Sequence, residues 1–304
     1  GSGSGGGAGI GGVGVEGSRL LAEFGADVIK IESRTYPDFI RVLTGAEMSA
    51  QFASSSRTKR GFGVNVKTEG GRQVLHKLIA KADVIIENNS TGTMDALGLG
   101  YDIVKSLNPR CVMVSSQLLG HHGAWSQWIG YGPSAQPLAG LVHLWNYANA
   151  EAPAGSTVIF PDHLAGRLTA TAAAACLVLR GRTDVGAHSE VAQVEAVTGL
   201  MGDLLMKTAL EPGSVVAAGN RSDMGAPWGV YPCAGEQQWI VISCRSDTDW
   251  QRLVTAMGTP DWATPPAYTD VAGRQADASA IDLHIAEWTA RSNKIELTQT
   301  LQAA

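Results

Sequence analysis

Asp162 stands in the run P-D-H-L-A-G, directly after the apolar S-T-V-I-F and ahead of an alanine-rich segment that continues to Arg180. A carboxylate at such a strand-to-helix junction has two uses. It is a favoured N-cap, accepting backbone N–H bonds from the first helical turn. It is also a competent nucleophile when held at a helix N-terminus and aimed into a cleft. The two uses compete for the same oxygens, and the sequence leaves both open. Seven histidines, including the pair His121 and His122 and His163 beside Asp162, show no metal-ligand spacing of the H-E-x-x-H kind, so no metal is expected. His121 and His122 read as polar residues of a loop after a strand, and His163 as a first-turn helix residue. Ser115 and Ser116 lie in no G-x-S-x-G elbow, which leaves a hydrolase triad without support.

Basic residues concentrate in S-R-T-K-R-G, with Lys67 shortly after. The segment reads either as a solvated loop or as a place where Arg57, Lys59, Arg60 or Lys67 meets a phosphate through charge-assisted bonds. The opening G-S-G-S-G-G-G-A-G-I-G-G-V-G contains G-x-G-x-x-G at Gly7, Gly9 and Gly12. A helix-like S-R-L-L-A-E-F follows, then A-D-V-I-K-I ending at Glu32, where a ribose-binding acid would belong. The fingerprint needs a strand feeding its first glycine, and nothing apolar precedes it. The tract therefore reads as a linker or remodelled loop, and neither NAD nor an oxidoreductase role is expected.

The elements that must position these groups follow from periodicity. A strand to Glu32, a short strand at Phe62 to Val66, a helix from Gly71 to Lys81, a buried strand D-V-I-I-E, helical turns through Leu97 and Leu107, and a strand C-V-M-V-S-S alternate as βαβα. Alternation of this kind predicts an α/β fold, a doubly wound, mostly parallel, Rossmann-like sheet in a large domain over 1–215. Ligands then belong at the carboxyl ends of the strands. From Phe160 the expectation is two buried helices packed through alanine, the second carrying Val194, Val197, Met201, Leu204 and Leu205. A smaller α+β domain is expected over 216–304, and the end at L-Q-A-A reads as an interruption.

In 304 residues of 44% hydrophobic content there is enough apolar surface for a genuine core, and a net charge of −5 supplies no general field for a nucleic acid. Cys111, Cys176, Cys233 and Cys244 form no C-x-x-C pair. Cys176 reads as a buried free thiol, and a reducing, cytoplasmic setting without secretion or membrane spanning is the expectation.

Read in order, several segments resemble the class III CoA-transferases, the carnitine and bile-acid (CaiB/BaiF) CoA-transferase family. They are L-L-A-E-F-G-A-D-V-I-K-I-E, T-K-R-G-F-G-V-N-V-K-T-E-G-G, I-I-E-N-N-S-T-G-T-M-D-A-L-G-L-G-Y-D, N-P-R from Asn108, I-G-Y-G, P-D-H-L-A-G, R-G-R-T-D-V-G and G-N-R-S-D-M-G-A-P. The resemblance implies a large doubly wound domain without a bound dinucleotide, a smaller domain, and an interlocked homodimer. It implies transfer of coenzyme A from an acyl-CoA to a small carboxylic acid, with Asp162 at the position of the aspartate that forms a mixed anhydride and then an aspartyl thioester. CoA contacts carry over to Gly12 and Val13, to Val64, Asn65, Val66 and Lys67, to Asn88, Asn89 and Ser90, and to Ile129, Gly130, Tyr131 and Gly132.

The chain departs from the family at Ser33 and Ala96, where arginines are common, and at N-N-S-T-G in place of N-F-x-P-G. Arg34 and the cluster containing Lys59 and Arg60 are the candidates to compensate. The lost arginines, the glycine tract replacing the family's first strand, and the absent closing segment suggest an alternative, a noncatalytic CoA-binding or structural subunit of the same fold. Relatives that racemise 2-methylacyl-CoA carry a histidine where this chain has Tyr131, a poor base near neutral pH, which disfavours a racemase. The missing glycine-rich loop of formyl-CoA transfer argues against oxalate-type substrates.

Overall fold

The computed structural model describes residues 4–7, 12–42, 48–153 and 159–304, and two compact units account for them. The larger comprises residues up to Val142 together with Gly155–Val215; the smaller comprises His143–Ala154 and Val216–Ala304. In chain order the elements up to Leu210 are β1 (Ser4–Gly7), α1 (Gly12–Glu23), β2 (Asp27–Glu32), α2 (Phe39–Val42), α3 (Ala50–Ser56), β3 (Arg60–Gly63), α4 (Glu69–Ile79) and β4 (Val84–Glu87). Then follow α5 (Thr93–Ala96), α6 (Tyr101–Leu107), β5 (Val112–Gln117), α7 (Gly132–Leu138), α8 (Leu141–Leu144), α9 (Phe160–Thr183), β6 (His188–Ala192), α10 (Gln193–Leu200) and α11 (Gly202–Leu210).

The described strands of the large unit form one six-stranded sheet in the order β3-β2-β1-β4-β5-β6, every pair parallel. That is the strand order of doubly wound folds, with the reversal between β1 and β4. Alternation along β4 and β5 sends side chains to two separate cores. Ile85 and Met113 pack with Leu75, Ile79, Leu99 and Val104, whereas Val84, Ile86, Val112 and Val114 pack with Ala173 of α9. Helices therefore cover both faces, and β4 and β5, buried along their whole length, open on the apolar runs 84–86 and 112–114 and end on polar residues, Glu87 and Ser115, Ser116 and Gln117.

Several expectations need correction. The glycine-serine tract is not simply a linker: Ser4–Gly7 is a central strand, in register with Asp27–Lys30 on one edge and Val84–Ile86 on the other. Backbone pairing on both edges outweighs the poor strand propensity of glycine. Gly9, the middle residue of the fingerprint, lies outside the described residues. The third strand starts at Arg60, earlier than the apolar run, because its pairing with Ile29–Glu32 fixes it. A strand missed in sequence, His188–Ala192, joins β5. Helices α9 to α11 are not fully buried: Val178, Leu179, Leu200, Leu205, Met206 and Leu210 are exposed, and the second expected helix breaks at Met201. Close approach of α1 to α9 runs through glycine, since a Cβ on Gly17 would stand 2.8 Å from the Gly166 carbonyl oxygen.

In the smaller unit the antiparallel hairpin β7 (Trp228–Pro232) and β8 (Trp239–Ser243) is followed by α12 (Asp247–Ala256), α13 (Val271–Ala276), α14 (Ala278–Thr289) and α15 (Lys294–Ala303). Its core gathers Tyr231, Ile240, Ile242, Trp250, Leu253, Ile281, Ile285 and Leu297. The buried Arg274 guanidinium is satisfied by the carbonyls of Ala226 and Tyr268 and by Asp247. All four cysteines are free, and Cys176 is half-buried rather than buried. No described helix is long and apolar enough to cross a membrane.

Candidate active site

Asp162 is not an N-cap. Pro161, which lacks an N–H and has a φ suited to a helical start, lies in the first turn of α9; the helix begins at Phe160, with Ile159 as its cap. Of the apolar run before it, residues 156–158 lie outside the described residues. Asp162 is thus the third helical residue, and its carboxylate is released from capping. It is 7% exposed and turns toward two donors: Gln193 Nε2, 3.2 Å from Oδ1, and the backbone N–H of Gly132. Burial pushes the Asp162 carboxyl up to about 6, against the opposing pull of His163, Gln193 and Gly132.

Gly132 is a glycine for lack of room. A Cβ there would lie 2.8 Å from Asp162 Cγ and 2.9 Å from each oxygen. The preceding Tyr131, exposed, caps α7 and meets Phe39 edge-on, with ring centroids 5.6 Å apart. Gly130 packs against Leu118 and Ser134, and Ile129 is exposed. His163 faces Glu16 rather than Asp162, Nδ1 to Oε1 at 3.6 Å, and Glu16 is held in turn by Arg19. Gly12 opens α1, Val13 is buried, and the Val13 carbonyl comes close to Gly166 in the second turn of α9.

A row of polar groups crosses the carboxyl ends of the central strands. Glu87, 1% exposed at the end of β4, accepts from Asn89 N at 2.9 Å, Asn89 Nδ2 at 3.2 Å and Gln117 Nε2 at 2.9 Å. Gln117, at the end of β5, also donates to the Asn89 carbonyl at 3.2 Å, so the turn Asn88–Ser90 is tied down from below. Ser90 Oγ lies 3.1 Å from Thr93 Oγ1. Gln117 pairs in register with Ala192, the residue before Gln193, so the row runs from the Asn88–Ser90 turn to Asp162.

On the other side of that turn lies a largely apolar cavity of about 490 Å³, lined in part by Val64, Asn65, Val66, Lys67, Asn89 and Leu97. Lys67 Nζ donates to Tyr36 Oη at 2.8 Å and sits over that ring. Arg34 is exposed. Lys59 and Arg60 are engaged elsewhere: Lys59 Nζ donates to the Val15 carbonyl at 2.6 Å, and Arg60 pairs with Asp27 at 2.8 Å. Burial brings the Lys59 ammonium down to about 7, with Lys30 and Arg19 adding repulsion. The expected ribose acid, Glu32, holds Arg41 at 2.7 Å.

Sequence reasoning missed Gln193, Gln117 and Glu87, and also a hydrogen bond of 2.9 Å between Ser115 Oγ and His188 Nε2 in a smaller polar cavity. Recognising H-S-E-V-A as a strand would have placed Gln193 at a carboxyl end. Among the described residues no group of three or more His, Cys, Asp or Glu side chains is arranged to hold a metal.

The large unit thus combines a doubly wound parallel sheet with a desolvated, donor-held carboxylate at its strand ends. Residues 8–304 match the CoA-transferase family III, and the chain belongs to that family. It is 34% identical over 295 residues to a probable CoA-transferase of Mycobacterium tuberculosis, covering 94% of this chain and 37% of the relative. It is 27% identical over 293 residues to the succinyl-CoA–L-malate CoA-transferase beta subunit of Chloroflexus aurantiacus, covering 93% and 71%. Among solved structures, a CAIB/BAIF family protein from Brucella suis superposes with a TM-score of 0.89 at 26% identity, covering 99% of this chain and 81% of the other. The chain thus spans little more than a third of the first relative's length and about 70% of the second's.

Proposed function

We propose that the protein moves coenzyme A from an acyl-CoA to a carboxylic acid through covalent intermediates on Asp162. The observation that carries this reading is the Asp162 carboxylate itself, buried, raised to about 6, freed from capping and held by two donors. Ionised at neutral pH yet poorly solvated, it is a reactive nucleophile. Attack of one carboxylate oxygen on the thioester carbonyl releases the CoA thiolate and leaves a mixed anhydride. The thiolate then attacks the Asp162 carboxyl carbon, the donor acid departs, and an aspartyl thioester remains. The acceptor carboxylate reverses these two steps. The thiolate must stay bound between them, and holding it converts each return into an intramolecular reaction.

Binding of the CoA nucleotide is assigned to the cavity beside Val64, Asn65, Val66 and Lys67, with the arm crossing Asn88, Asn89 and Ser90 toward Ile129, Gly130, Tyr131 and Gly132. Gly12 and Val13, at the start of α1, flank the same strand ends. Lys67 and Arg34 are the cations placed to meet phosphate, and Lys59 and Arg60 join them only by giving up their present partners. Division of labour between a large CoA-binding unit and a small unit belongs to the same reading. The exposed apolar side chains of α9 to α11 support burial against a second copy of the chain, a homodimer that light scattering after gel filtration would detect.

The test is intact-protein mass spectrometry after mixing with a panel of acyl-CoAs, with hydroxylamine trapping and peptide mapping. An adduct on Asp162 that disappears in Asp162→Ala is the expected result. CoA binding without any adduct would favour the noncatalytic subunit, a reading supported by Ser33 and Ala96 standing where the family commonly has arginine.

A further inference from the structure

Gln193 is 6% exposed, and its carboxamide oxygen is buried with no hydrogen-bond partner. The orientation is forced. A carboxylate only accepts, so the amide NH₂ must face Asp162 and the oxygen must point away. Leaving a buried acceptor unsatisfied costs about 1–3 kcal/mol. An apolar side chain of similar volume would avoid that cost, so the residue is poorly explained as a stabiliser of the fold. Gly132 shows the same pattern: its bare Cα lets a backbone N–H reach a carboxylate that any side chain would push away.

We infer that the Gln193 NH₂ and the Gly132 N–H form an oxyanion hole for the steps that take place at the carboxyl carbon of Asp162. The inference rests on the transfer reading above and adds to it a site for the charge. In the mixed anhydride the oxygen facing Gln193 is the carbonyl oxygen of Asp162. When the CoA sulfur bonds to Cγ, the carbonyl π pair moves onto that oxygen. Its return breaks the bond from Cγ to the bridging oxygen, and the donor acid leaves as a carboxylate. One negative charge enters on sulfur and one leaves on oxygen, with no proton moved. Attack of the acceptor carboxylate on the aspartyl thioester is the same step in reverse, over the same oxygen. Donors already in contact with the carboxylate need no reorganisation when charge develops there. By contrast, the two attacks at substrate carbonyls place their charge on the substrate's oxygen, out of the hole.

This asymmetry makes the inference testable. With Gln193→Met, studied by quenched-flow and intact-mass analysis at pH 8 so that Asp162 is ionised, acylation of Asp162 is expected to proceed at near the wild-type rate. Conversion of the anhydride to the aspartyl-CoA adduct is expected to slow about 10²–10³-fold, the usual consequence of losing one oxyanion donor. At pH 4.5, where Asp162 is protonated, the melting temperature should not fall, because the unpartnered acceptor goes too. Aspartyl-CoA formation within threefold of wild type would overturn the inference, as would equal slowing of both steps. If the methionine variant does not fold, Gln193→Leu removes the donor without adding a charge and is read the same way. A wild-type protein that forms no Asp162 adduct would overturn the transfer reading and the oxyanion hole together, an outcome distinct from failure of the hole alone.

Discussion

Replacing Asp162 with asparagine should make the folded protein more stable at neutral pH, with the gain vanishing in acid. Burial raises this carboxyl from 3.8 to about 6, so the native state binds its proton more tightly than the unfolded chain does. For an acid shifted in this direction, stability is highest below about pH 4, is lost as pH rises between about 4 and 6, and stays lower above that. About 2 pH units at roughly 1.4 kcal/mol each set an upper limit of about 3 kcal/mol of destabilisation at pH 7.5. The neutral carboxamide escapes it but puts an NH₂ near the Gly132 N–H, which reduces the gain to about 1–3 kcal/mol. In a unit of this size that is a rise of roughly 2–10 °C in the melting temperature. Scanning calorimetry of wild type and Asp162→Asn at pH 7.5 and 4.5, following the transition of the large unit, measures it. A variant less stable at pH 7.5, or a shift of equal size at both pH values, would show that the carboxylate is adequately solvated and that the argument for its reactivity is wrong.

The same shift fixes the activity profile: Asp162 must be ionised to attack, so the rate of adduct formation should fall about tenfold per pH unit below about 6, as measured by quenched flow across pH 5–8. Gly132→Ala should leave the melting temperature nearly unchanged yet slow acylation by tenfold or more, because a Cβ 2.8–2.9 Å from the Asp162 carboxyl atoms forces the nucleophile out of position. Lys67→Ala should weaken CoA binding about tenfold or more in calorimetric titration, the loss of one charge-assisted bond to phosphate. Lys59→Met should raise the melting temperature more at pH 6 than at pH 9. The folded ammonium titrates near 7, so its burial cost is present below that and is relieved as pH rises toward the unfolded value.

Much of the larger unit was legible because its strands β4 and β5 are buried on both faces. Val84–Glu87 and Val112–Gln117 announce themselves by the short apolar runs V-I-I and V-M-V that open them, and α4 by its stripe from Leu75 to Ile79. The places where reading failed are places where partners override composition. Four residues, S-G-G-G, form a central strand only because β2 and β4 supply both ladders, a fact absent from the four residues themselves. His188–Ala192 is at the sheet's edge and half-buried, so it carries no apolar run. Missing it concealed the element that delivers Gln193.

Asp162 was legible as a candidate, but its two possible roles were separable only once the start of α9 was known. A proline one residue earlier moves the cap to Ile159 and frees the carboxylate. Its partners are drawn from distant segments: Gly132 arrives through the loop after β5, and Gln193 through a strand that ends beside Gln117. What joins them is the shared edge of the sheet, where parallel strands bring the end of each βα unit to one side. Residue type alone gives glycine and glutamine no chemical weight. They gain it from facing a buried carboxylate with donors, which is the arrangement that the proposed aspartyl intermediate calls for.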